Sequence, residues 1–213
     1  MLRPMSDLRL LAPAAVVAVL ALVGISSCDG GSSSPDAAPS ASVTKLSDLD
    51  TTAMVVARDA FCSGIGPDTL QSALGTTHYD GLAYNNGEHA RLVRGVRDVA
   101  HEYDCTWRAQ DGSVARAWVF APPVTVDRAS QLRDAAVGRG CQGTKDAGFG
   151  KPSVATRCGT PRGHFQGYYG LFGDAWLSCT LAVPGKQEPA DLTERASDWC
   201  AAVALAASGQ TAG

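Results

Sequence analysis

The sequence predicts an α+β domain, an antiparallel sheet with flanking helices that disulfides staple together. Residues 98–108 alternate between apolar and polar side chains over eleven residues, as a strand with one buried and one wet face does. The predicted elements run in the order helix, short helix, hairpin, helix, strands, helix, which is typical of α+β domains. Six cysteines besides Cys28 are enough for three disulfides.

Apolar spacing and turn residues place each element. The final helix carries Leu192, Ala196, Trp199 and Val203 on one face, which is predicted to dock on the sheet. The predicted elements are a helical segment over 46–61, a short helix over 67–74, a loop over 76–95, strands over 98–108 and 114–121, a helix from 125 or 127 to 137, a Gly-rich loop over 143–152, strands over 154–158, 165–172 and 175–183, and a helix over 189–206.

The N-terminal segment is built like a secretion signal that ends in a cysteine. Residues 10–23 are apolar but for one proline, and Arg3 and Arg9 precede them. Fourteen helical residues rise about 21 Å, whereas a bilayer core needs nearer twenty residues, so a cleaved signal is favoured over a permanent span. Small residues directly before Cys28 resemble a bacterial lipobox. The resemblance implies that Cys28 becomes the lipidated first residue of the mature protein.

Three parts of the chain follow from this interpretation: a lipoprotein signal peptide over 1–27, a flexible tether over 28–47 and a single domain over 48–208. The tether is rich in Ser, Gly, Pro and Ala and has no apolar period, so it cannot bury enough surface to fold. The predicted location is the extracytoplasmic face of the cell membrane, with the membrane itself as a partner through the lipid anchor.

The domain's cysteines are predicted to be oxidised, because an exported chain with an even number of them usually forms disulfides. None stands as Cys-x-x-Cys, which argues against a zinc knuckle or a thioredoxin-like motif. Cys62–Cys105 is the favoured pair because it ties the first helices to the first strand. For the other four, the sequential pairs Cys141–Cys158 and Cys179–Cys200 are slightly favoured, but spacing cannot decide between the alternatives, since six cysteines allow fifteen connectivities. The six residues are Cys62, Cys105, Cys141, Cys158, Cys179 and Cys200.

A family resemblance rests on the first half of the domain. Cys62 stands before a short helix that ends in Leu74-Gly75, and Cys105-Thr106-Trp107 enters a hairpin. This pattern resembles a family of uncharacterised actinobacterial lipoproteins over residues 50–125, and the likeness weakens beyond Cys141. The resemblance implies an envelope location and a fold similar to that of the photosystem protein PsbP. It implies no activity.

The net charge and the sequence motifs limit the classes of function that this sequence supports. The formal net charge is −3 and the sequence has no basic patch, so nucleic acid is not an expected partner. The glycines Gly138, Gly140 and Gly143 match a dinucleotide-binding pattern in form, but they follow a predicted helix rather than a strand. No catalytic, metal or cofactor motif is found, which favours a non-catalytic protein without a cofactor.

Two functional hypotheses remain. The glycine-interrupted aromatic stretch over 165–176 is either sheet core or the wall of a binding groove for an envelope glycan, lipid or protein, with Tyr168, Tyr169 and Trp176 as candidate ligand-binding residues. The first hypothesis is therefore a membrane-anchored binding or interaction module. The alternative is an envelope hydrolase whose site is assembled from loop residues, namely His78, Asp80, Glu88 and His89.

Overall fold

The computed structural model describes residues 44–93 and 95–210, all within one compact unit, Ala41–Gly213. The predicted signal peptide, Cys28 and most of the predicted tether therefore lie outside the described residues. Within the described part, no helix is both long and apolar enough to cross a membrane. Leu46 is buried, so the core begins two residues before the predicted start of the domain.

The described residues form three α-helices and nine strands. The helices are α1 (Pro67–Leu74), α2 (Val126–Ala136) and α3 (Leu192–Ala207), and the strands are β1 (Tyr79–Tyr84), β2 (His89–Val93), β3 (Val96–Val99), β4 (Glu102–Ala109), β5 (Val114–Phe120), β6 (Cys141–Lys145), β7 (Ser153–Thr160), β8 (Gly163–Phe172) and β9 (Ala175–Pro184).

Seven strands form one antiparallel sheet in the order β1-β4-β5-β9-β8-β7-β6, and β2 pairs with β3 in a separate ribbon. Helix α3 packs on β9 and β8 and also contacts α1, whereas α2 packs on β8 and β7 from the other side. The predicted α+β architecture, an antiparallel sheet with flanking helices, is confirmed.

The main core lies between the sheet and α3. Leu192, Ala196, Trp199 and Val203 are all buried there, as their helical spacing predicts. The Trp199 ring meets the Trp107 ring edge-on at a centroid distance of 5.6 Å, and its Nε1 donates a hydrogen bond to the Thr180 carbonyl. The indole therefore buries its apolar surface without leaving its one donor unpaired.

Three disulfides cross-link the elements of the domain: Cys62–Cys105, Cys141–Cys158 and Cys179–Cys200. Their Cα–Cα separations are 5.6, 4.3 and 5.6 Å. The first joins the chain before α1 to β4, the second joins the directly paired strands β6 and β7, and the third joins β9 to α3. These are the three pairs that the sequence favoured.

Two regions predicted to be loop contain strands. Residues 76–95 hold β1 and β2, and the Gly-rich segment over 143–152 overlaps the end of β6. Both β1 and β6 are edge strands, and their side chains are mostly exposed. An alternating apolar pattern arises only where one face of a strand is buried, so these strands carry no such pattern.

Two predicted elements are divided or irregular. The strand over 98–108 breaks at the fully buried Ala100, whose backbone bonds to Gly87 and Glu88, and this break leaves His101 exposed rather than on the apolar face. The segment 46–61 has only one 3-10 turn, Leu46–Asp48. An irregular chain, which bonds to the end of α3 through Ala57, instead buries Leu46, Val56 and Phe61.

Candidate functional site

The predicted aromatic residues divide between the two faces of the sheet. Tyr168 and Phe172 are buried on the α3 side, in the main core. Trp176 is 2 % exposed and packs in a second cluster beneath α2. Tyr169 points to the α2 side and is only half-buried. Of the three residues predicted to bind a ligand, Tyr169 alone lies where a ligand could reach it.

The residues of the hydrolase hypothesis are not brought together. His78 and Asp80 lie at the start of β1, whereas Glu88 and His89 follow its far end. The Glu88 carboxylate accepts hydrogen bonds from the backbone and side-chain amides of Asn85. Among the described residues, no group of His, Cys, Asp and Glu has the arrangement of a metal site.

A polar cluster that the sequence analysis missed occupies the α2 side of the sheet. Arg116 of β5 contacts Asp104 through Nε and lies 3.3 Å from Glu102 through a terminal nitrogen. The same nitrogen donates to the Tyr84 hydroxyl at 3.2 Å, and this hydroxyl donates to Glu102. The hydroxyl of Thr106 donates to the second Asp104 oxygen at 2.8 Å. One guanidinium therefore holds two carboxylates and a phenol in place.

The charges of this cluster do not cancel. Asp104 is 1 % exposed, and burial raises the pKa of its carboxyl while the Arg116 guanidinium opposes that rise. Burial, together with the bond to Glu102, also raises the pKa of Tyr84, so this phenol stays a donor at physiological pH. With both carboxylates ionised, the cluster carries one excess negative charge, which favours ligands that donate hydrogen bonds over anions.

Two aromatic rings extend the cluster along the sheet. The Arg116 guanidinium carbon lies 4.5 Å from the centre of the Trp118 ring, and the Trp118 and Tyr169 rings meet edge-on at 6.2 Å. A Cβ at Gly167 would come within 2.8 Å of the Tyr169 ring and hydroxyl, so glycine is needed for the ring to lie where it does. Burial raises the pKa of Tyr169 to about 12.

Strand register explains why these residues meet. One row of directly paired residues crosses β1, β4, β5, β9 and β8, and directly paired residues share a face of the sheet. In strand order, the row consists of Tyr84, Asp104, Trp118, Ser178 and Tyr169. The Ser178 hydroxyl is buried without a hydrogen-bond partner among the described residues. We refer to Tyr84, Glu102, Asp104, Arg116, Trp118 and Tyr169 as the Arg116 patch.

A shallow cavity of about 270 Å³ lies at the opposite edge of the sheet. Arg157 binds Glu188 there through two nitrogens, at 2.7 and 2.8 Å, and His164 Nδ1 is 3.7 Å from the same carboxylate. The guanidinium is already neutralised by the protein itself, so the cavity offers a ligand little unpaired charge. Its lining residues are Gly140, Gln142, Arg157, Gly159 and Glu188.

Comparisons with known proteins identify no family. No family model matches the chain, and no curated protein matches it. One similar solved structure is the crystal structure of a GTP binding regulator from Thermotoga maritima, with a TM-score of 0.33 and 10 % sequence identity over 68 % of this chain and 90 % of that one. A likeness at this level carries no inference. The resemblance to PsbP-like lipoproteins stays a prediction.

Proposed function

We propose that this chain is a membrane-anchored envelope lipoprotein whose domain binds an envelope glycan at the Arg116 patch without catalysing a reaction. The observation that carries the proposal is the position of Trp118 and Tyr169, two half-buried rings directly beside a hydrogen-bonding cluster. A sugar presents apolar C–H faces to aromatic rings and hydroxyl donors to carboxylates, so it fits both parts of the patch.

The net charge of the patch supports a neutral ligand. Glu102 is partly exposed and is shared by Arg116 and Tyr84, so it can accept a further hydrogen bond from a hydroxyl group. An anionic lipid headgroup would meet two carboxylates and one guanidinium there, which is unfavourable. Of the glycan and the lipid that the sequence suggested, the glycan is therefore the one that this patch favours.

The same contacts argue against hydrolysis at this site. A glycoside hydrolase uses two carboxyl groups that flank the bond to be cleaved and reach the substrate. Asp104 is enclosed by Arg116 and Thr106 and has almost no exposed surface, so it cannot play that part. Because His78 and His89 also lie apart, the hydrolase alternative has no assembled site among the described residues.

We expect Trp118→Ala to weaken glycan binding at least about tenfold, because a central aromatic contact is commonly worth more than 1 kcal/mol. Binding of the soluble domain to isolated cell-wall glycan and to N-acetylglucosamine oligomers measures this. Tyr103→Ala is the matched control, since Tyr103 is half-buried on the neighbouring strand and faces α3 instead. Equal loss in both variants, or no binding by the parent domain, would refute the glycan site.

The anchor is tested separately. We expect the full chain to fractionate with membranes and Cys28→Ala to release it or to leave the precursor uncleaved, because the thioether to diacylglycerol then cannot form. Two acyl chains suffice for stable attachment, whereas one does not. Mass spectrometry of the mature N-terminus checks the modification directly. A mature protein with an unmodified Cys28 would contradict the lipoprotein assignment.

A further inference from the structure

Strand β1 forms one edge of the seven-stranded sheet, and its outer side is open. It pairs with β4 on its inner side, and the described β2–β3 ribbon pairs with no strand of this sheet. Among the described residues, no backbone hydrogen bond joins residues 79–84 to any element but β4. The outward N–H and C=O groups of β1 are therefore available to a further strand, as at other sheet edges that bind a second chain.

This edge lacks most of the features by which sheets prevent such pairing. Edge strands are commonly protected by lysine, proline or a bulge. Strand β1 contains no lysine and no proline, and its six residues pair with β4 without a register shift. Asp80 is its one charged residue, whereas the opposite edge strand, β6, ends in Lys145. Of the two edges, β1 is thus the one more open to a partner strand.

An exposed leucine lies in the middle of β1. Leu82 is 59 % exposed, and among the described residues it is the one large apolar side chain of the seven-stranded sheet at the surface. An antiparallel copy of β1 centred on this residue would bring the two leucines into contact, because directly paired residues share a face. In the same register Asp80 lies opposite Tyr84 and Gly81 lies opposite Ala83. No like charges are therefore opposed when β1 pairs with itself.

We infer that β1 pairs antiparallel with β1 of a second copy of this chain, which joins two sheets into one continuous sheet. The pairing is isologous, with the same patch on both copies, as in most homodimers. Self-pairing buries Leu82 against an identical side chain, which a foreign strand of arbitrary sequence does not ensure. The proposed tether and anchor also hold every copy at the same membrane, so the strand nearest to β1 is another β1.

The size of the contact sets its strength. Two six-residue strands bury less surface than the roughly 1,600 Å² of a typical stable interface. We therefore expect a weak dimer in dilute solution, which becomes well populated where anchored copies are concentrated at a membrane. The membrane part of this argument rests on the proposed anchor, whereas the strand pairing itself needs no lipid.

Self-pairing through β1 would place two Arg116 patches on one surface. Paired strands share their faces, so the α2 side of the sheet continues across the second copy. Trp118 lies on β5, and five strand spacings, about 24 Å across the strands, separate it from the second copy's Trp118. A long glycan could then contact both patches, which raises the avidity without any new contact. This consequence, unlike the pairing, rests on the proposed glycan site.

Disulfide cross-linking tests the register directly. In the compact unit 41–213 all six cysteines are already bonded, so Leu82→Cys adds a single free thiol. Directly opposed cysteines can bond across antiparallel strands, as Cys141 and Cys158 do. We expect Leu82→Cys to form covalent dimers at least about tenfold faster than Val126→Cys, because pairing aligns the two thiols. Val126 is 63 % exposed on α2. Equal rates would mean random collision and would overturn the inference.

A charge substitution tests the pairing by a second measurement. Sedimentation of the parent unit should show a concentration-dependent dimer. Leu82→Lys should lower its association constant at least about tenfold, because the leucine contact is lost and like charges are opposed. Val126→Lys adds the same charge outside the edge and should leave the dimer unchanged. A parent that stays monomeric, or equal loss in both lysine variants, would contradict the proposal.

Cross-linking of the full chain in membranes identifies the occupant of the edge. We expect full-length Leu82→Cys to cross-link to itself there. A cross-link to a different protein, and none to a second copy, would identify a foreign strand and overturn the inference. None of the measurements on the unit 41–213 involves glycan or lipid, so failure of the proposed function would leave their outcome unchanged.

Discussion

Replacing Cys179 and Cys200 together with alanine is expected to lower the free energy of unfolding by about 4 kcal/mol. Closing a loop of the 21 residues that separate them accounts for about 3 kcal/mol through the entropy of the unfolded chain. Both residues are fully buried between β9 and α3, so removing the two sulfur atoms also leaves a small cavity that costs about 1 kcal/mol more. Denaturant unfolding of the domain measures the loss.

The chain offers a matched control in Cys141 and Cys158, which are 17 residues apart. The loop-closure contributions of the two disulfides then differ by only about 0.2 kcal/mol. Cys141 and Cys158 are half-buried at the edge of the sheet, so their replacement leaves little cavity. We expect the edge pair to cost about 3 kcal/mol. Equal losses for both pairs would show that burial of the sulfur atoms contributes nothing.

Asp104→Leu is expected to destabilise the domain by about 3 kcal/mol. The change removes the acceptor of Arg116 Nε and of the Thr106 hydroxyl, and it leaves a half-buried guanidinium with Glu102 as its remaining carboxylate. Breaking one side of a buried ion pair costs more than the pair contributes, because the other charge stays desolvated. Thermal and denaturant unfolding of the variant at neutral pH measure the change.

A second substitution distinguishes the free-energy cost of a desolvated charge that has lost a partner from the cost of lost side-chain packing. Adding Arg116→Met to Asp104→Leu removes the half-buried guanidinium, which has lost one of its two carboxylates, and keeps a long apolar side chain, so part of the stability should return. The double variant is expected to be more stable than Asp104→Leu by about 1–2 kcal/mol. A double variant that is less stable than the single one would mean that Arg116 packing on Trp118, rather than its charge, stabilises this face.

Local patterns predicted the regular elements of the core. The apolar stripe of α3 and the apolar runs of β8 and β9 require only helical or strand geometry, and all three elements lie within a few residues of where their patterns place them. The edge strands β1 and β6 were missed because their exposed side chains have no reason to alternate. In the same way, Val56 and Phe61 were read as helical although an irregular chain buries them.

The candidate site could not be predicted from such patterns. The alternating pattern of residues 98–108 correctly predicts that Asp104 and Cys105 lie on opposite faces of β4. It also predicts that the face with Asp104 is exposed to solvent, whereas Asp104 is almost fully buried. Its burial depends on Arg116 and Trp118 of the next strand. The strand predicted over 114–121 contains a single arginine, Arg116, and its pattern indicates no partner for that charge.

By itself, then, the sequence determined the α+β class, the buried face of α3 and a disulfide-rich chemistry, because each depends on residue type and short-range spacing. The disulfide pairing and the Arg116 patch were decided only by tertiary structure. Tyr169 lies more than fifty residues from Trp118 along the chain, and they meet because β9 stands between β5 and β8. Strand order arises from the packing of the whole core, and no local pattern contains it.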